Sequence, residues 1–378
     1  MKLRACSSTL AAAALTLALT AVASPAGAAT SAGAAKAPPF LDRLNTVSTV
    51  ASTVPENGDV NPYGTFTIQE SIGDLHRGNV LISNFNNSAN LQGLGTTLVQ
   101  ITPGGTRTTF ATIDPDHLPG PCPGGVGLTT ALTVLPGGWV VVGSLPTADG
   151  TSATAQAGCL LVLDKHGTVR ETIAGDGING PWDLTAVSSG EQSELFVTNV
   201  LNGTVAGGGA QVDQGTVLRI TLCTEKGDLP QRIATTEIGS GFPERTDPAA
   251  LVVGPTGVGL GHDGTLFVAD TVLSRITAIP NALTRQDSAG IGRVITSGGA
   301  LNGPLGLALT PRGDILTVNG GDGNIVETTP AGRQVAVKQI NNEGTPPGAG
   351  ALFGLALDLD QDAVYFVNNA DNALDVLH

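Results

Sequence analysis

The sequence predicts an all-β protein, a six-bladed β-propeller whose last blade is closed by an N-terminal strand. Three observations carry this prediction. A short signature recurs six times, each copy is followed by a second apolar strand ending in a small polar residue, and the last copy lacks a strand that the start of the chain can supply. Composition agrees: 52 glycines spread through 378 residues disfavour long helices, where each interior Gly costs roughly 1 kcal/mol against Ala. With 41% hydrophobic residues the chain can bury a sizeable core, which excludes wholesale disorder.

The first segment reads as an address. Lys2 and Arg4, the apolar run Leu10 to Val22 and the small-residue exit Ala26-Gly27-Ala28 predict a secretory signal peptide over residues 1–28. That run is shorter than the roughly 20 residues a membrane-spanning helix needs. Cys6 precedes it, which disfavours a lipoprotein anchor. Residues 29–40 read as a flexible Ala/Gly/Pro leader and 41–378 as the propeller, secreted or extracytoplasmic.

The blades follow in order. The innermost-strand signature is Pro62-Tyr63-Gly64, Gly125-Val126-Gly127, Pro181-Trp182-Asp183, Pro255-Thr256-Gly257, Pro304-Leu305-Gly306 and Leu352-Phe353-Gly354. The last two intervals between copies are 49 and 48 residues and the earlier ones are longer, so a unit of that length carries insertions in its earlier copies. Second strands end at Asn84, Ser144, Asn199, Asp270, Asn319 and Asn368. Third and fourth strands follow across tight turns, as in Asn324 to Thr329 and Gln334 to Ile340. Four short strands per unit, rich in Val, Ile and Leu, suit blades that stack on both neighbours. The sixth copy ends at His378 after its third strand, and the unassigned β-rich stretch Thr46 to Ser52 completes it. That pairing removes an exposed edge.

Val268-Ala269-Asp270 followed by Ser274-Arg275-Ile276, after Gly257 and Gly264, resembles an NHL repeat, as does the fifth copy from Gly303 through Asn319. More distantly, the whole resembles the gluconolactonase/strictosidine-synthase class of six-bladed propellers. That resemblance implies the fold strongly and the activity weakly, since such propellers serve as scaffolds, ligand binders and enzymes. It implies that a lactonase would hold a divalent metal in the channel mouth with Asn, Asp and a blade-1 Glu. The blade-1 signature here, Asn61-Pro62-Tyr63-Gly64, has no Glu.

Sorting connections by face locates the candidate surface. Turns such as Leu135 to Gly138, Asp164 to Gly167, Gly261 to Gly264 and Thr310 to Gly313 fall on one face. The insertions Asp114 to Gly125, Pro146 to Gly158, Leu201 to Gly215, Gly239 to Gly254 and Asn341 to Gly350 fall on the other. Long loops on a rigid scaffold are where binding surfaces are built. Cys122 and Cys159 both fall on the inserted face of blade 2 and are expected to form a disulfide. Cys223, at the far end of a blade-3 strand, is expected to be a free, packed thiol.

Asp183 stands out because it replaces the Gly of every other signature, beside Trp182. One reading makes it a ligand-facing carboxylate at the channel mouth; the other makes it a carboxylate bonded to backbone amides. Asn61 and Asn302 precede the signatures of blades 1 and 5, and with Asp183 they would offer oxygen donors suited to Ca²⁺, although no cofactor is required by the sequence. His117 is the histidine expected on the inserted face, with Asp114 nearby, and could act as a base if it reached the channel. The Asn and Asp residues ending the second strands recur too regularly for a ligand ring and read as turn closers. Asp270 with Arg275 reads as a hairpin-spanning pair.

Charge limits the partners. Eighteen Lys and Arg against 32 Asp and Glu give a formal net charge of -14, which argues against nucleic acid and against an anionic membrane surface. No Ser-His-Asp set, HExxH motif or phosphate loop appears. The chain therefore reads first as a monomeric recognition module for a small molecule, a glycan or wall polymer, or an extracellular protein. The alternative is a metal-dependent lactonase- or esterase-type hydrolase or lyase using Asp183, Asn61, Asn302 and His117.

Overall fold

Six units, five of four strands and one of five, form because each inner strand is apolar on both faces and needs a sheet on either side. In the structure, a computed structural model, residues 38–378 are described apart from 226, 227, 359 and 361. The signal peptide and nearly all of the leader expected from the sequence lie outside the described residues. Blade 1 comprises Val60–Thr67, Val80–Asn86, Thr97–Ile101 and Arg107–Thr112. Blades 2, 4 and 5 begin with Leu128–Leu135, Pro255–Leu260 and Pro304–Leu309 and repeat the same antiparallel meander. Separate apolar clusters fill successive blade interfaces, for example Leu81, Leu98, Leu132, Val140 and Leu161 between blades 1 and 2.

Closure occurs as the sequence predicts. Val47–Ser52 pairs antiparallel with Ala373–Leu377, matching Val47 to Leu377 and Ser52 to Ala373, as the outer strand of blade 6. The packed body begins slightly earlier than Leu41. Phe40 is buried, and the amides of Phe40 and Leu41 each donate to the Glu327 carboxylate of blade 5 at 2.9 Å.

The pairing of the first two strands shifts register at the signature in five blades, for example between Pro62 and Thr65 and between Pro304 and Leu307. In blade 2 the shift lies between Leu128 and Leu132, so Leu128-Thr129-Thr130 occupies the place expected for Gly125-Val126-Gly127, which precedes the strand. Such bulges bend a strand and re-aim its side chains. At Gly306 and Gly354 the reason for glycine is close approach: an added Cβ would sit 2.2 Å from the Phe353 carbonyl and 2.1 Å from the Tyr63 carbonyl of the next blade.

Blade 3 departs from the others. It has five strands, Pro181–Ser189, Gln192–Asn199, Val212–Cys223, Gln231–Asp247 and Leu251–Val253. The stretch expected as the insertion Gly239 to Gly254 is thus largely a β-hairpin. The tight-turn face also carries two longer connections, residues 68–79 in blade 1 and 280–292 in blade 4.

Cys122 and Cys159 are disulfide-bonded with Cα atoms 5.2 Å apart, as expected. The expectation for Cys223 is corrected: it is disulfide-bonded rather than a free thiol, and its partner lies outside the described residues. A disulfide is compatible with an extracytoplasmic location. Among the described residues no helix is long and apolar enough to cross a membrane.

Candidate functional site: an amide-lined pocket on the long-loop face

The central channel was the expected site, and the structure closes its mouth on the long-loop side. Three signature aromatics from different blades meet on the axis. Tyr63 stacks on Phe353 at 4.1 Å between ring centroids and lies 6.2 Å from Trp182, and all three are at most 2% exposed. The blade-3 hairpin completes the plug, with Leu251, Val252 and Val253 in the same cluster. Trp182 donates its indole N–H to the Val252 carbonyl at 3.1 Å. Trp182 is therefore part of the plug and presents no face to solvent.

Asp183 consequently sits beneath the plug rather than at the long-loop mouth. Its Oδ1 accepts the Leu184 amide at 2.8 Å and its Oδ2 accepts the Val258 amide of blade 4 at 3.2 Å. This is the backbone-bonded arrangement of the two the sequence left open. Burial pushes its carboxyl up to about 8, against the pull of those two amides.

The other expected site residues do not join it. Asn61 lies on the long-loop side, in a different cavity from Asp183. Asn302 is exposed and lines neither cavity. His117 ends the one-turn 3₁₀ helix Pro115–His117, with its side chain 81% exposed and its Nδ1 2.6 Å from Asp114 Oδ2. That hydrogen bond raises the His117 pKa and lowers that of Asp114. The divalent-metal set implied by the lactonase resemblance does not fit: its donors are dispersed, and among the described residues no group of three or more His, Cys, Asp or Glu could hold a metal ion.

The second-strand termini are structural, but only some close their own turns. Asn368 Oδ1 accepts the Ala370 amide at 3.1 Å and Asn319 Nδ2 donates to Asp322 Oδ1 at 3.0 Å, whereas Asn199 Oδ1 accepts the Asn179 amide at 3.0 Å and Asn84 Nδ2 donates to the Thr53 carbonyl at 3.1 Å. Asp270 holds Arg275 at 2.6 Å across its hairpin.

What the long-loop face does assemble is a pocket of about 500 Å³ lined by six amide side chains, Asn61, Asn86, Asn90, Gln92, Asn369 and Asn372. They come from the loops that follow the second strands of blades 1 and 6 and from the start of blade 1, and Pro248 and Ala249 of the blade-3 hairpin form another wall. Gln92 latches that wall by donating to the Pro248 carbonyl at 2.9 Å. The amides are ordered in series: Asn61 Nδ2 donates to Asn86 Oδ1 at 3.0 Å, and Asn86 Nδ2 donates to Asn90 Oδ1 at 2.7 Å. The Asn61 amide N–H donates to Asn372 Oδ1 at 2.7 Å. Asn61, Asn90 and Asn372 have φ of 60°, 59° and 53°, a left-handed backbone that Asn tolerates better than most residues. Asn61 is 3% exposed, and its side chain also meets the buried Tyr63 hydroxyl. No titratable side chain lines this pocket among the described residues.

Sequence reasoning singled out Asn61 but missed its companions. The signal was present as two asparagine-rich runs after second strands, Asn84-Phe85-Asn86-Asn87-Ser88-Ala89-Asn90 and Asn368-Asn369-Ala370-Asp371-Asn372.

No family model matches the chain, and no curated protein does. Solved structures do match, and they lie in the gluconolactonase-like class of propellers. A chain assigned to the gluconolactonases is 14% identical with a TM-score of 0.57, covering 90% of this chain and 96% of that one. A gluconolactonase of Xanthomonas campestris is 14% identical with a TM-score of 0.53, covering 88% of each chain. A luciferin-regenerating enzyme is 11% identical with a TM-score of 0.53, covering 88% of this chain and 94% of that one. At these identities the likeness establishes the six-bladed propeller fold and nothing finer.

Proposed function

We propose that this propeller is a secreted recognition module that binds a neutral, polyhydroxylated ligand, a short glycan segment, in the amide pocket of its long-loop face. The observation that carries this reading is the concentration of six amides in one pocket with no titratable side chain among its described lining residues. An amide offers both donors and an acceptor, which matches hydroxyls that do the same. The volume of about 500 Å³ lies within the range of ordinary ligand pockets. Secretion is supported by the basic, apolar and small-residue order of residues 1–28 and by the disulfide.

Titration of the purified protein with a panel of neutral oligosaccharides tests this reading. Asn61→Gly keeps the left-handed backbone accessible while deleting the amide, and it should weaken binding at least about tenfold without moving the unfolding midpoint. Equal binding by the variant, or no binding of any neutral glycan at millimolar concentration, would refute the reading. The gluconolactonases among the structural neighbours favour hydrolysis instead. A lactone and ester panel with and without Ca²⁺ separates that alternative, because turnover that needs the metal would require donors the described residues do not assemble.

A further inference from the structure

Beneath the aromatic plug the axis is hollow. All six innermost strands line a shaft of about 250 Å³ that opens on the tight-turn face. A cavity of about 150 Å³ admits benzene, so this one has room for a small organic molecule. Asp183, Gly306 and Gly354 lie at its blind end, each the residue after a plug side chain. Leu132, Val258, Leu307 and Leu355 contribute apolar wall, interspersed with Thr65, Thr130, Thr133 and Thr185.

Three polar side chains face into this space with hydrogen-bonding capacity unused: Asp183, Thr130 and Thr65, whose Oγ1, like that of Thr130, has no hydrogen-bond partner. Asp183 is 8% exposed, takes part in no ion pair among the described residues, and is the one titratable side chain lining the shaft among them. Its two amide partners leave each oxygen with acceptor capacity to spare. Thr130 is 5% exposed, lines the shaft, and its Oγ1 has no hydrogen-bond partner. A buried carboxylate without a counter-ion is unfavourable.

The geometry points to a second ligand site, separate from the amide pocket: the shaft takes a small aliphatic amine, its ammonium on Asp183 and Thr130 and its alkyl chain along Leu132, Leu307 and Leu355. An ammonium presents three donors and no acceptor, which suits a carboxylate flanked by hydroxyls. Ca²⁺ takes six to eight oxygens, and a single carboxylate among the shaft's described lining residues does not provide the anionic set it favours. An anion would be repelled by the ionised carboxylate, and a neutral alcohol gains no ion pair from it. Because burial holds the unliganded carboxyl up to about 8, binding of the ammonium form at neutral pH expels the carboxyl proton to solvent. One O–H bond breaks, and no other bond changes.

Calorimetric titration of the whole protein with n-butylammonium tests this, with n-butanol and butyrate as matched controls. One equivalent of amine should bind at millimolar concentration or tighter, and neither control should. Affinity should rise about tenfold per pH unit up to about pH 8 and then level off, with close to one proton released per amine at the lower pH values. Asp183→Asn should abolish the pH dependence and weaken binding at least about tenfold, and Thr130→Val should weaken it a few-fold. Should Asp183→Asn fail to fold, Ala356→Phe at the half-buried open end keeps the test alive, since it should block the amine while Asp183 stays in place. Asn61→Gly should leave amine binding unchanged, so failure of the glycan reading does not carry this one with it. Binding of n-butanol as strong as that of the amine, pH-independent amine binding, full binding by Asp183→Asn or Ala356→Phe, or no amine binding at about 10 mM would each overturn the assignment.

Discussion

Glu244 shows how one side chain ties blade 3 to pH. It lies on Gln231–Asp247 opposite Val212 and is 0% exposed. Burial pushes its carboxyl from 4.5 to about 7, opposed by contacts with Thr204 and the Asn202 backbone. A carboxyl raised on folding binds its proton more tightly in the native state. Its contribution is therefore fully present below 4.5, erodes as pH climbs from 4.5 to about 7, and stays lost above that. The span corresponds to on the order of 3 kcal/mol. Glu244→Gln should remove this component, so thermal scans between pH 5 and pH 8 should show a smaller fall in midpoint than the parent protein. A parallel fall in both proteins would show that Glu244 carries none of the dependence. Asp183 follows the same sign over a window from 3.8 to about 8, and it adds to the erosion unless an ammonium ion pairs it.

Among the elements, the long loops differ in what holds them. The Cys122–Cys159 bond closes 37 residues and ties the loop entering blade 2 to the start of that blade's third strand. A loop of that length predicts a loss of about 4 kcal/mol from the chain-entropy relation in a Cys122→Ala/Cys159→Ala variant. Denaturant unfolding without reductant measures it, and a loss below about 1 kcal/mol would mean that the reduced chain already holds the loop in place. The blade-3 hairpin is instead held by packing, with Val252 beneath Trp182 and Gln92 clasping Pro248. It both plugs the channel and walls the amide pocket, which makes the long-loop face a closed, pocketed surface rather than the mouth of a channel.

At the scale of the molecule, closure depends on residues 40–52. Phe40 and Leu41 bind Glu327 of blade 5, and Val47–Ser52 completes blade 6. A chain begun at Thr53 loses both and uncovers the edge of Ala373–Leu377. Unpaired edges recruit other strands, so the truncated protein should melt at lower temperature and elute as concentration-dependent oligomers. A monomer with the parental midpoint would show that the ring is held without its closing strand.

The blade count, the closing strand, the Cys122–Cys159 bond and the structural role of Asp270 with Arg275 were legible in the amino-acid order. Each depends on local periodicity, or on two segments whose faces the repeat itself assigns. The fate of Asp183, the capture of Cys223 and the amide pocket were not. The fate of Asp183 and the amide pocket depend on where the blade-3 hairpin lies and on which loops of blades 1, 3 and 6 meet, and the Cys223 bond on a partner outside the described residues. A repeat specifies how each blade pairs with its neighbours, because backbone hydrogen bonds and alternating apolar faces are short-range constraints. It says nothing of contacts made by insertions that cross the ring, since those are selected by packing among residues about 160 to 280 positions apart, such as Gln92 with Pro248 and Asn86 with Asn369.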